Sequence, residues 1–327
     1  MSTASAPPAP YALPLPHLLL AVLVTVIWGT NFVVVKLVLE TWPPLFFVFV
    51  RFLICFVPMA LFIKRPDVPW TNLAAYGVLL GVGQFGLGFL AMDGYISPGL
   101  ASVVLQTQAF FTVFLAMYLE SERLRNFQWA ALIIASAGIG VIGYNAWGVV
   151  GAAGGNVPGA VSPTTVLGLA LSISAAMCWA MANTVAKRAG RINMLGYVVW
   201  ASVYSLPPLL ALTLIFDGPD VIMTTVRNTG LGMWSAIAWQ TVGNTMFGFA
   251  VWGWLLARHP TAAVAPMSLL VPVFGLTTSA FFLSEPLQLW KLSAVGLILT
   301  GLALNTLWPH LMHRRPTPAP VSPPAAE

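Results

Sequence analysis

The chain has 327 residues, 58% of them apolar and only 7% charged, with a mean hydropathy of +0.86 and a net charge of +5. Soluble domains carry roughly 25% charged residues, so a soluble enzyme or a nucleic-acid-binding module is excluded. The charges sit between long apolar runs, which is the pattern of an all-α polytopic membrane protein and not the short alternating segments of a β-barrel.

Residues 1–16 hold no Lys or Arg and are rich in Pro and Ala, so they read as a disordered tail and not as a signal peptide. Ten spans follow, at about 17–36, 43–63, 72–92, 99–119, 127–147, 164–186, 194–216, 232–256, 261–283 and 289–309. The longest loop, 148–163, is uncharged, rich in Gly, and joins two halves, 17–147 and 164–309. Residues 310–327 form a second Pro-rich tail. Cys55 and Cys178 fall inside apolar runs and read as small core residues, not as a disulfide.

The halves echo one another. Pro98 and Pro260 are 162 positions apart, as are Ala101 and Ala263, and each pair opens a long apolar helix with a Glu just past its end (Glu122, Glu285). Trp28 to Lys36 (WGTNFVVVK) matches Trp179 to Lys187 (WAMANTVAK) at a spacing of 151. Five spans per half is an odd number, so the second half must be inverted, and a transport site is expected at mid-depth between the halves.

Lys and Arg set the orientation. With the N-terminus in the cytoplasm, the inner segments hold Lys64, Arg65, Arg123, Arg125, Lys187, Arg188, Arg191, Arg258, Arg314 and Arg315, and the outer loops hold Lys36, Arg227 and Lys291. That bias places both termini in the cytoplasm and the connector 148–163 in the periplasm.

The stretches WGTNFVVVK, RFLICFVPMALF (51–62), GLASVVLQTQAFFT (99–112) and APMSLLVPVFGL (265–276) resemble the drug/metabolite transporter superfamily, and within it the EamA-type bacterial exporters of amino acids and their metabolites. The resemblance runs over about 17–309. It implies ten helices as two inverted five-helix repeats, a bacterial inner-membrane location and export of small polar metabolites. The first-half copy usually carries a Pro where this chain has Ala109-Phe110, while Pro272 is present in the second, which puts a symmetric Pro-based bend in doubt.

Charge is informative by its distribution. Glu40, Asp67, Asp93, Glu120, Glu122, Asp217, Asp220, Glu285 and Glu327 all lie away from span centres, as do His17, His259, His310 and His313. A proton relay needs an intramembrane carboxylate or His, and a metal or hydrolytic site needs clustered ligands, so no cofactor, metal or catalytic residue is expected. No Gly-x-x-x-x-Gly-Lys stretch is present for ATP. Arg51 is the one charge within a span. It snorkels, or pairs with a backbone carbonyl or a loop acid, or serves a substrate carboxylate.

The candidate cavity residues are neutral. Trp28 and Asn31 lie one turn apart on span 1, as Trp179 and Asn183 do on span 6. Span 3 puts Gly77, Gly81, Gln84 and Gly88 at helical spacing on one face, and span 8 carries Gln240, Asn244 and Gly248. Gln106 and Gln108 are roughly 200° apart on a helix, and Gln106 is preferred because it matches Ser268 at the 162 spacing. The cavity set is therefore Trp28, Asn31, Gln84, Gln106, Trp179, Asn183, Asn244 and Ser268, with helix–helix contact as the competing role. Pro207, Pro266 and Pro272 are candidate hinges. The expected function is broad, uncoupled export of amino acids by alternating access. The alternatives are a carrier of another small metabolite, such as a nucleotide sugar, drug or lipid, or a proton-coupled antiporter. The partners expected are the substrate and the bilayer, with no nucleic acid; the sequence leaves the oligomeric state open.

Overall fold

The structure is a computed structural model that describes residues 13–120, 126–152, 164–190, 192–259 and 261–312. Residues 1–12 and 313–327 of the two tails, residues 153–163 of the connector, and Glu122, Arg123, Arg125, Arg191 and Pro260 lie outside the described residues. The described residues are helical, with no strand among them. The helices are α1 (Leu15–Leu39), α2 (Pro44–Met59), α3 (70–92), α4 (98–120), α5 (Asn126–Ala152), α6 (Val166–Arg188), α7 (Met194–Phe216), α8 (Gly218–Asn228), α9 (231–258), α10 (261–282) and α11 (Leu289–Met312).

Local chemistry starts these helices where the sequence supplies it. Pro in the first turn opens α1, α2 and α4, where the missing N–H has no intrahelical partner anyway. The Thr165 hydroxyl accepts from Gly168 N at 3.0 Å at the start of α6. Asn193 Oδ1 accepts from Leu195 N at 3.1 Å at the start of α7. Among the described residues, seven segments are long and apolar enough to cross a membrane by length and composition: Leu15–Leu39, Trp70–Met92, Pro98–Leu119, Asn126–Trp147, Val166–Arg188, Met194–Phe216 and Leu289–Trp308. Pro44–Met59 and Pro266–Phe282 are apolar but shorter. The polar run Gln240–Thr245 interrupts the apolar character of α9.

Several boundaries differ from the sequence reading. Helix α1 starts at Leu15, inside the expected tail, and runs one turn past Lys36, which therefore lies in its last turn. Helix α11 runs to Met312, into the other expected tail, and Lys291 sits in its first turn and not in a loop. Residues 217–230 were expected to form a loop, but most of them form α8. This short helix has no fully buried residue, packs Ile222 against the core and leaves Val221 and Met223 exposed. Two charges, Asp220 and Arg227, hide such a segment from a hydropathy window, and the surface beneath it supplies the reason to fold.

Four helices are irregular, and the irregularities match. Helix α3 is π-helical over Leu79–Gly86 and α9 over Gln240–Phe247. Gly83-Gln84 and Gly88-Phe89 stand 160 positions before Gly243-Asn244 and Gly248-Phe249. Helix α4 tightens to a 3₁₀ turn at Leu105–Thr107 and α10 at Ala265–Leu269. These turns lie before Ala109-Phe110 and Pro272, and α4 forms its turn with no Pro in it while α10 has Pro266.

The π turn also corrects the face assigned to α3. An i→i+5 turn spends an extra residue, so α-helical spacing fails across it. Gly77 and Gly81 face α7, where an added Cβ would meet Ala201 O at 2.1 Å and Ser205 Oγ at 2.4 Å; Gly88, which α-helical spacing puts on the same face, instead has Ala175 of α6 as its nearest neighbour, 3.9 Å from an added Cβ.

The packing pairs helices across the halves. Helix α1 lies against α9 and α10, and α6 lies against α3 and α4. Helix α2 packs on α7, α4 on α10, and α5 on α11. The ring α3–α6–α4–α10–α1–α9 is closed by α2 and α7, and the α5–α11 pair stands to one side. The main core includes Phe47, Phe52, Leu73, Tyr76, Leu80 and Tyr197, all essentially fully buried. Cys55 is buried in the core, whereas Cys178 is only partly buried.

Candidate functional site

The sequence-predicted residues fall into two groups on this ring. The first lies between α1, α2, α3 and α9. Trp28 Nε1 donates to the backbone oxygen of Asn244 at 3.1 Å, and the indole leans on Phe249 and Trp252, with ring centroids 5.7 and 5.2 Å away. Gly248 makes room for it: a Cβ there would lie 2.4 Å from Trp28 Nε1. Trp28 is therefore a wedge between α1 and α9. Gln240 Nε2 donates to the Asn31 backbone oxygen at 3.5 Å, the outer limit of a hydrogen bond. Asn31, Gln84 and Asn244 are all buried, and Asn31 Oδ1 and Gln84 Oε1 have no partner among the described residues.

The second group lies between α4, α6 and α10. Gln106 Nε2 donates to the Ser268 backbone oxygen at 2.9 Å, so the two positions that match at a spacing of 162 touch one another. Asn183 Nδ2 donates to Gln108 Oε1 at 3.1 Å. The sequence reading preferred Gln106 over Gln108, and the structure uses both, each toward a different helix. Trp179 is partly buried against the core, and its neighbour Cys178 lies under Gly83. Of the prolines, Pro207 is exposed within an unbroken α7, Pro266 opens the 3₁₀ turn of α10, and Pro272 is buried in that helix.

Arg51 does not snorkel and reaches no loop acid among the described residues, which corrects those two readings of it. It is fully buried. Its Nε and Nη2 donate to Thr245 Oγ1 at 3.0 and 2.7 Å, and the guanidinium lies 4.0 Å from the Phe85 ring centroid. Phe85 and Thr245 occupy matching positions of the two π turns, 160 apart. Thr245 Oγ1 in turn donates to Gln240 O at 3.1 Å, and Thr241 Oγ1 to the Arg51 backbone oxygen at 3.3 Å. Arg51 Nη1 and Gln240 Oε1 have no partner, and no carboxylate lies within ion-pair distance among the described residues. The charge is not repeated: the residue 151 beyond Arg51 is Ser202, whose hydroxyl donates to Val198 O.

Sequence reasoning missed three features. The π turns have no simple sequence signal, although the repeated Gly-Gln and Gly-Asn pairs mark them. Thr245 gave no reason to be chosen until Arg51 was seen beside it. Glu285 looked peripheral, but it is buried, accepting from the Ser97 hydroxyl, from Gly99 N at 3.1 Å and from Lys291 Nζ at 3.1 Å. At the ends of α3 and α7, burial pushes the Asp93 carboxyl above the usual carboxylate range while Lys36 holds it back. Burial also raises Asp217, with Asp93 adding to the rise.

The EamA-like transporter family model matches this chain twice, over residues 15–144 and 166–307. The chain belongs to the EamA-like transporter family. It is a multi-pass membrane transporter and not an enzyme. It is 37% identical over 290 residues to a Salmonella typhimurium protein named "Probable amino-acid metabolite efflux pump", covering 88% of this chain and 93% of that one. An Escherichia coli protein of the same name is 34% identical over 290 residues, with the same coverage. A solved crystal structure aligns over 92% of this chain and 99% of its own, with a TM-score of 0.57 and 20% identity. At that identity the likeness concerns the fold alone. The two family matches begin at the first residue of α1 and at the first residue of α6, and each covers the helices on one side of the connector.

Proposed function

We propose that this EamA-family transporter is a bacterial inner-membrane exporter of amino acids with broad specificity. The observation that carries the reading is the pair of relatives named as amino-acid metabolite efflux pumps, similar over nearly the whole of both chains. The geometry agrees in kind: the mid-chain layer offers amides, an indole and one guanidinium, and few groups placed to reject a side chain.

The transport unit is built from ten spans as two inverted five-helix repeats, 17–147 and 164–309, with both termini cytoplasmic. The paired irregular turns support this, and so do the helix pairings, which map onto themselves when the halves are exchanged. The Lys/Arg bias supports the orientation. Alternating access comes from rocking of one half against the other, with Pro207, Pro266 and Pro272 as flexing points. Trp28, Asn31, Gln84 and Asn244, with Gln106, Asn183, Trp179 and Ser268 across the ring, line the path. Export is uncoupled: the described acids sit at helix ends and in loops, away from the layer of Asn31 and Gln84.

The test is flux in liposomes holding the purified protein, with a panel of labelled amino acids and no ion gradient. Several amino acids should equilibrate, each with weak affinity. Flux of a single amino acid removes the breadth. Accumulation driven by a pH gradient and abolished by a protonophore removes the uncoupled mechanism.

A further inference from the structure

Arg51 is a full positive charge, completely buried, in a layer where none of the described residues supplies it an anion. Desolvating a cation costs several kcal/mol unless a counter-charge repays it. Here the repayment within the protein is partial: one hydroxyl, the Phe85 ring and, farther off at 5.9 Å, the Phe89 ring. One donor, Nη1, is left over. The same layer leaves three amide oxygens over, on Asn31, Gln84 and Gln240. Contacts tie Asn31, Gln240 and Arg51 together, and chain position puts Gln84 beside them. Gln240 touches the Asn31 backbone, Thr245 joins Gln240 to Arg51, and Gln84 is the neighbour of Phe85 beneath the guanidinium.

A cationic donor with three neutral acceptors is the complement of one small-molecule class. The carboxylate of an α-amino acid needs a charged donor, and its ammonium group needs three acceptors. A phosphate ester would require a second cation, and none of the other described Lys or Arg residues shares this layer: Lys36 and Lys187 lie in the last turns of their helices, and Lys291 is paired with Glu285. A simple organic cation would meet Arg51 as a like charge.

We propose that Arg51 anchors the substrate carboxylate and that the amide oxygens of Asn31, Gln84 and Gln240 receive its ammonium group, so that this layer selects zwitterionic α-amino acids. The proposal rests on the amino-acid export reading and names the chemistry behind it. Phe85 and Thr245 hold the guanidinium from matching turns of α3 and α9, so relative movement of these helices uncovers it. The bland role for Arg51 is a brace that fastens the α9 turn to α2; a brace has no reason to distinguish one substrate from another.

The experiment uses liposomes with the wild-type protein and the neutral amino acid that it carries fastest. Its C-terminal amide, which lacks the carboxylate charge, and its N-acetyl derivative, which lacks the ammonium, are added as competitors. Each should compete at least about tenfold more weakly than the parent, the loss expected for one charge-assisted hydrogen bond. Arg51→Gln should raise KM for the parent by a similar factor and bring parent and amide level, while the N-acetyl derivative stays weak; Arg51→Lys should keep part of the preference for the acid. A wild type that binds the amide as tightly as the acid overturns the proposal without any variant and leaves amino-acid export standing. An Arg51→Gln protein that keeps the full acid preference also overturns it. Folded wild type that carries no amino acid overturns the export reading and this proposal with it.

Discussion

Two buried cations in this molecule are treated in opposite ways. Lys291, in the first turn of α11, is neutralised inside the protein by Glu285, which also binds Ser97 and Gly99 N at the start of α4. Arg51, in the layer of the π turns, has a hydroxyl and two rings but no carboxylate among the described residues. The first arrangement is complete and joins two helices from different halves. The second leaves donors and acceptors over, and those are the groups a substrate could use. The closed ion pair reads as architecture and the open charge as chemistry.

That contrast is most sharply tested at the closed pair. Glu285→Gln leaves a buried Lys291 unpaired and should cost about 3–5 kcal/mol of stability, measured as a large fall in thermal unfolding temperature in detergent. Glu285→Leu with Lys291→Met removes both charges and should recover most of the loss. If the single variant is as stable as wild type, the pair is not the joint described here.

At the open site the losses should be smaller, because less is closed. Thr245→Val removes the acceptor of two guanidinium N–H groups at nearly constant volume, and should cost about 1.5–3 kcal/mol by the same unfolding measurement. An unchanged unfolding temperature would mean that Arg51 is held by other contacts.

The two asparagines divide along the same line. Asn183 is bonded to Gln108, so Asn183→Ala should cost about 0.5–1.5 kcal/mol of stability. Asn31 has a free side-chain oxygen, so Asn31→Ala should lower flux with little loss of stability. Normal flux in both variants would remove these residues from the path.

The smallest effect concerns pH. Asp93 and Asp217 have raised carboxyl pKa values, so the folded state takes up protons more readily than the unfolded chain does. Their contribution is complete below the ordinary carboxylate value and is lost as pH rises through the raised one. Asp93→Asn should flatten this slight dependence in unfolding scans at a series of acidic pH values, and an unchanged slope would place its origin elsewhere.

The sequence made much of this legible because a membrane removes choices. With no water for stray backbone groups, long apolar runs must be helices, and their positions fell within a few residues of the helices seen for α2 to α7. Gln106 and Ser268 were paired by spacing and meet in space. The limits are equally specific. The face of α3 was read by α-helical periodicity, which fails once a π turn intervenes, so Gly77 and Gly88, read onto one face, lie against different helices. Helix α8 was invisible because it depends on the surface beneath it.

By itself, the sequence determined that the chain is helical and membrane-embedded, that its halves echo one another, and which polar residues could matter. Those properties follow from local composition and from the cost of dry backbone. Only the tertiary structure decided which polar groups are consumed by neighbours and which are left over. Thr245 reaches Arg51 across 194 positions and Glu285 reaches Ser97 across 188. Hydrogen-bond satisfaction is a property of pairs, and no single stretch of chain contains both members.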